Sequence, residues 1–320
     1  MLSKRVLILS ITAVTLLLIS VFIVPERILP WTVYGIQSDI LWQFRLPKSL
    51  TALFTGAALA VSGFILQQLF RNNLAGPYIL GISSGSTLAV AILIIGSHYF
   101  PFLNNSIGIS MAGFAGAMAI LLLVLSVSVR FGRGAVILLF GVIIGQISGA
   151  LQGLLNYLAM PGDLKYFTLW TMGSFTQVMG RDLLILGIAA IAGLVWAFTL
   201  MPALSVMVLG DDVAATLGVQ TKKVSLQLMV CTGLLSGIAT AYCGPVAFIG
   251  MAIPNASRLL FKTADFRMLM LVNALMGACM ALISDVIASL EIFGMHIPVN
   301  VCTALLGGPF ILYILLKKRH

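Results

Sequence analysis

Long apolar runs alternate with short polar connectors from one end of the chain to the other. A membrane-spanning helix takes about 20 consecutive apolar residues. Runs of that kind occupy residues 6–24, 49–70, 79–96, 106–129, 135–159, 183–202, 224–243, 268–290 and 297–316. A tenth interval, 244–261 (GPVAFIGMAIPNASRLLF), is apolar but short, and Gly244, Pro245 and Pro254 interrupt it. Broken segments survive in a membrane only where protein or a water-filled cavity satisfies the freed backbone groups. The pattern predicts an all-α polytopic membrane protein of about ten transmembrane helices, with residues 1–320 forming a single transmembrane domain.

The stretch Arg45 to Ser86 holds one complete crossing, a basic RLPK cluster in front of it and an Asn/Gly/Pro-rich break behind. Its density of small residues suits a helix that packs tightly, moves and lines a path. GAALAVSG at 56–63 and GIATAYCG at 237–244 share small-residue spacing, and each precedes a Pro-containing break, at Pro77 and Pro254. This is a weak inverted repeat, an architecture found in transporters.

Composition excludes a soluble domain: 60% of residues are hydrophobic and 8% charged, against a soluble norm of about 25% charged. The net charge of +9 is carried by connectors, where basic residues set orientation. With ten spans and the N-terminus inside, Lys/Arg at 4, 5, 71, 130, 133, 222, 223, 258, 262, 267, 317, 318 and 319 face the cytoplasm and only 27, 45, 48, 165 and 181 face out. Both termini are therefore expected in the cytoplasm. The run after Lys4-Arg5 is read as a retained first helix, not a signal peptide.

The connectors differ. Residues 25–48 contain Trp31 and Trp42, suited to the membrane interface. Residues 159–182 contain the amphipathic patch Tyr166 to Trp170, read as a short surface helix. The loop 203–223 carries Asp211 and Asp212 after Gly210, then Val213 to Leu217, then Gly218. This predicts two short helices with an acidic first turn and a glycine stop, either a knob for another protein to push or a solvated loop.

Motifs for catalysis are absent. The chain has no P-loop and no HExxH, and its three histidines lack ligand spacing. Cys231, Cys243, Cys279 and Cys302 each lie in an apolar run, as small packing residues. Asp285 and Arg258 are the main ionisable residues within spans. So few carboxylates argue against a proton relay, and the energy would come from outside the chain. Gln67, Gln68, Gln146, Gln152 and Asn156 supply the polar groups instead. On the fifth span Gln146, Gly149 and Gly153 share one face, with Gln152 and Asn156 beside it. They either line a wide neutral path or serve as interhelical hydrogen-bond glue.

The chain resembles the FecCD-type permeases, membrane subunits of ATP-binding-cassette importers for iron–siderophore complexes, haem and vitamin B12. The resemblance rests on RLPKSL (45–50), GAALAVSG (56–63), RNNLAGPYILGISSGS (71–86), Trp170 with Gly173-Ser174, LGDDVAATLGV (209–219), GPVAFIGMAIPNASRLL (244–260) and IPVNVCTALLGGPFILYILL (297–316). It implies a single permease domain in the inner membrane that does no chemistry and holds no cofactor or metal. Its partners would be a second permease subunit, identical or not, two cytoplasmic ATPases that use ATP and Mg, and a periplasmic binding protein. Arg45 and Lys48 would dock the binding protein. Asn72, Asn73 and Leu74, with Arg133 and Gly134, would form the cytoplasmic gate. Residues 203–223 would be the coupling loop, with Asp211, Asp212, Ala214, Leu217 and Gly218 meeting the ATPase. The chain departs from the family pattern at Asn73, Asn255, Ser289, His296 and Asn300.

Overall fold

A computed structural model of the chain describes residues 2–22, 39–97, 105–131, 135–292 and 295–317. The predicted gate residues Arg133 and Gly134, as well as Trp31, lie outside them. Twelve α-helices are described: α1 (Leu2–Phe22), α2 (Leu46–Leu69), α3 (Ile82–Ile95), α4 (Ser106–Phe131), α5 (Ala135–Leu158), α6 (Pro161–Thr171), α7 (Gly180–Met207), α8 (Asp211–Thr216), α9 (Thr221–Cys243), α10 (Ile249–Phe261), α11 (Phe266–Ser289) and α12 (Val299–Lys317). A π-helical turn, Leu41–Arg45, leads into α2, and Pro47, with no N–H to give, sits at the switch from π to α. Two short strands, Glu291–Ile292 and Met295–His296, pair antiparallel between α11 and α12.

Seven helices, among them α1, α2 and α4, are long and apolar enough to cross a membrane. The apolar helices α3 and α12 are shorter, and α10, with 13 residues, occupies the interrupted interval. These ten match the predicted spans, while α6 is the predicted surface helix, turning Phe167 and Trp170 inward.

Helix α2 is the axis of the bundle. It is buried along most of its length and packs against α7, α9, α10 and α11. Glycine permits these approaches. A Cβ added at Gly56 would lie 2.2 Å from the Gly277 carbonyl oxygen, and one at Gly277 would lie 2.3 Å from that of Gly56. Small residues bring membrane helices this close because association there depends on backbone contact and van der Waals packing.

Two expectations are corrected. Pro254 does not break the chain; it lies inside α10, and the break falls at residues 244–248 instead. A proline within a helix leaves the carbonyl four residues back without its N–H partner. That carbonyl belongs to Gly250, and it faces α2 so closely that a Cβ on Gly63 would sit 1.7 Å away. Gly63, with no side chain, leaves room for that oxygen. The loop 203–223 also holds one separate helix, α8, rather than two, because α7 continues through Met207. Both candidate repeat halves consist of a long helix, a break and a short helix, α2 with α3 and α9 with α10.

Candidate functional site

At one end of the bundle the buried carboxylate of Asp285 gathers three helices. Lys48 Nζ lies 3.2 Å from Asp285 Oδ1, and Ser20 Oγ on α1 donates to Oδ2 at 2.7 Å. Ser20 and Ser49 share a hydrogen bond of 2.7 Å. The Lys48 ammonium also donates to Ser289, whose hydroxyl donates to the Asp285 backbone oxygen at 2.7 Å. Only 18% of the Lys48 side chain is exposed. Of the two predicted docking residues, Lys48 thus turns its charge into the bundle, while Arg45 sits in the π-helical turn and reaches the Val21 carbonyl at 3.5 Å. Lys48, Asp285, Gly173, Gln177 and Pro298 line a cavity of about 410 Å³ at this end. Sequence reasoning missed Ser20 and Ser49, because a serine in an apolar helix gives no sign of its partner.

Helix α5 packs against α3 and α4 only at its edge and leaves most of its surface uncovered. Gln146, Gly149 and Gly153 are exposed, and a Cβ at either glycine would meet nothing within 4 Å. Gln152 behaves differently: its Nε2 donates to Thr87 Oγ1 at 2.9 Å and to the Ser84 carbonyl at 3.3 Å on α3. Asn156 Oδ1 is buried with no hydrogen-bond partner among the described residues. The predicted set therefore divides, with Gln146 and the two glycines on an open face and Gln152 as a tether.

The loop after α2, predicted as the gate, is built by its own amides. Asn72 Oδ1 accepts from the Leu74 N–H at 2.9 Å, and the Asn73 carbonyl accepts from Asn255 Nδ2 at 2.8 Å. Asn255 Nδ2 also reaches the Met251 carbonyl at 2.8 Å. Arg258 donates to Gln67 Oε1 and to Asn255 Oδ1, so its charge rests on amide oxygens. A related repair holds the break at 244–248, where Asn300 Oδ1 accepts from the Ala247 N–H at 3.2 Å. Residues 73, 255, 289 and 300, which depart from the family pattern, thus each contribute an atom to a bond that closes a loop or holds a charge.

The 203–223 segment, predicted as the coupling loop, lies beside that loop. Gly210 caps α8, Asp211 and Asp212 form its acidic first turn, and Gly218, with φ of +83°, ends it. Ala214 is buried in the main core, whereas Leu217 is 63% exposed along with Leu209 and Val213. Arg71 joins the two elements: its Nη2 donates to the Met207 carbonyl at 3.1 Å and lies 3.8 Å from Asp211 Oδ1. The sequence places Arg71 and Asp211 140 positions apart and gives no sign that they meet.

No group of His, Cys, Asp and Glu able to hold a metal occurs among the described residues. All four cysteines are buried and free. The site offers an open helix face, a loop closed by amides and a set of exposed apolar side chains at 209–217.

The hemin transport system permease protein HmuU of Yersinia pestis is 36% identical over 289 residues, covering 88% of this chain and 86% of that protein. The vitamin B12 import system permease protein BtuC of Escherichia coli O6:H1 is 34% identical over 316 residues, covering 98% of this chain and 95% of the relative. A solved structure described as an inward-facing, metal-chelate type ABC transporter superposes with a TM-score of 0.88 at 29% identity, covering 98% of this chain and 99% of the other. The model of the FecCD transport family matches residues 6–317, and the chain belongs to the FecCD transport family.

Proposed function

We propose that this chain is the inner-membrane permease subunit of a binding-protein-dependent ABC importer for a large metal chelate, an iron–siderophore complex before haem or vitamin B12. Two permease subunits, two cytoplasmic ATPases and a periplasmic binding protein make up the machine. ATP and Mg act at the ATPases, both termini of this chain lie in the cytoplasm, and this chain catalyses no reaction. The exposed apolar residues in and around α8 carry the reading: Leu209, Val213 and Leu217 project from a connector that also holds Asp211 and Asp212. Exposed apolar side chains gathered on one connector mark an interaction surface. The ionisable groups of the spans support an external motor, since Asp285 is held by Lys48 and Ser20 and Arg258 by Gln67 and Asn255. The named cargoes of the relatives, hemin, vitamin B12 and a metal chelate, share size and a chelated metal, which an open face of glycine and neutral amide suits. Alternating access then requires two discrete packings of the bundle, switched from the 203–223 loop.

The test is uptake into proteoliposomes holding the chain with its ATPase and binding protein, offered ferric siderophore, haemin or cyanocobalamin in turn. ATP-dependent accumulation of one of them, lost when either companion is omitted, is expected. Accumulation by the chain alone down an ion gradient would instead make it a self-contained secondary carrier.

A further inference from the structure

The backbone ending of α2 contains an anomaly. Arg71 N donates to the Gln68 carbonyl at 3.2 Å and Asn72 N to that of Gln67 at 3.1 Å, the double closure of a Schellman motif. The residue at its centre adopts the left-handed conformation, and the usual occupant is glycine, because a Cβ there meets the following carbonyl. This chain has Arg71, with φ of +47°. A strained non-glycine residue persists where the surroundings hold it in place, and such positions cluster at switch regions.

The Arg71 side chain gives the reason. Its guanidinium supplies a donor to the Met207 carbonyl at the C-terminus of α7 and faces Asp211 in the first turn of α8. The same residue begins the loop that continues through Asn72, Asn73 and Leu74. One side chain therefore spans from the loop to the point where α7 hands over to α8. The loop beyond it is stiff, because Asn72 closes its own turn and Asn73 is held by Asn255. Below Arg71 a cavity of about 80 Å³, bounded by Gln68, Leu204 and Met207, gives the guanidinium space to shift. Both members of the ion pair are about half exposed, at 56% and 50%. An exposed pair makes a weak clamp, poor as a stability element and suited to a contact that forms and breaks in each cycle.

We infer that Arg71 is a positioning residue that transmits movement of α8 to the gate loop, and that the chain retains a strained arginine at a glycine position for this purpose. The inference rests on the importer reading, in which the ATPase acts on α8. It separates backbone from side chain: Arg71→Gly relieves the strain and removes the link.

The experiment uses the permease assembled with its ATPase and binding protein in nanodiscs, read by hydrogen exchange with and without ATP. In the wild-type complex ATP alters exchange both at 209–218 and at 72–77. In Arg71→Gly the response at 209–218 persists, the response at 72–77 falls by about fivefold or more, the lower end of ordinary allosteric coupling, and the melting temperature does not drop. Asp211→Asn gives a smaller loss in the same direction. Exchanging the pair, Arg71→Asp with Asp211→Arg, restores part of the response. A wild-type response at 72–77 in Arg71→Gly overturns the inference, as does a drop in melting temperature with both responses lost. If the wild-type complex shows no ATP response at 209–218, the importer reading itself fails and the inference falls with it.

Discussion

Lys48 Nζ and Asp285 Oδ1 stand 3.2 Å apart, the carboxylate almost wholly buried and the ammonium largely so. Removing one partner of such a pair strands the other charge, whereas replacing both with apolar groups avoids that cost. Asp285→Ala should therefore lower stability by about 3 kcal/mol, and Lys48→Met with Asp285→Leu should recover most of the loss. Equilibrium unfolding in mixed micelles measures both.

On the proposed docking role, the inward turn of Lys48 leaves Arg45 as the principal charge of the two. Arg45→Glu should weaken affinity for the binding protein and flatten its salt dependence, since rim charges act chiefly through encounter. Lys48→Glu should instead reduce the yield of folded permease, because a second carboxylate would face Asp285. Titration of the binding protein at two ionic strengths, with the melting temperature alongside, separates these outcomes.

In the proposed coupling segment, Ala214 and Leu217 should respond in opposite ways. Leu217 is exposed and Ala214 fully buried. Leu217→Asp should leave the permease folded and break the link between ATP hydrolysis and uptake in the assembled complex. Ala214→Asp should unfold the joint, because it buries a carboxylate among apolar groups. Melting temperature and the ratio of ATP hydrolysed to cargo accumulated distinguish the two.

The glycines also divide. Gly63→Ala forces a methyl group against the Gly250 carbonyl and should destabilise by about 1–3 kcal/mol, the usual cost of overpacking. Gly153→Ala on the open face of α5 meets nothing within this chain. It should keep or raise stability, since alanine is the better helix former by about 1 kcal/mol, and any loss of uptake would report contact with cargo or with the second subunit.

How much of this was legible in the sequence follows from the range of each signal. The spans, the surface helix at 161–171 and the helix stop at Gly218 are written in local periodicity and turn chemistry. The cross-chain bonds are not. Nothing in the apolar run of α1 shows that Ser20 meets Asp285, and the RNNLA segment does not show that Arg71 reaches Met207 and Asp211. Pro254 misled because the helix runs through it, with Gly63 on the facing helix leaving room for the Gly250 carbonyl. The α5 amides looked equivalent by spacing, yet the facing helix captures only Gln152.

That capture sets the leverage available to α5. By helix rise, Gln152 lies about 9 Å from the Leu158 end and about 25 Å from the Ala135 end. The longer arm is held as well, with Ile137 fully buried and Gly141 set against the backbone of Ile79 and Leu80. Fastened at both places, α5 and α3 form a single stave, and a push on either is shared by the pair.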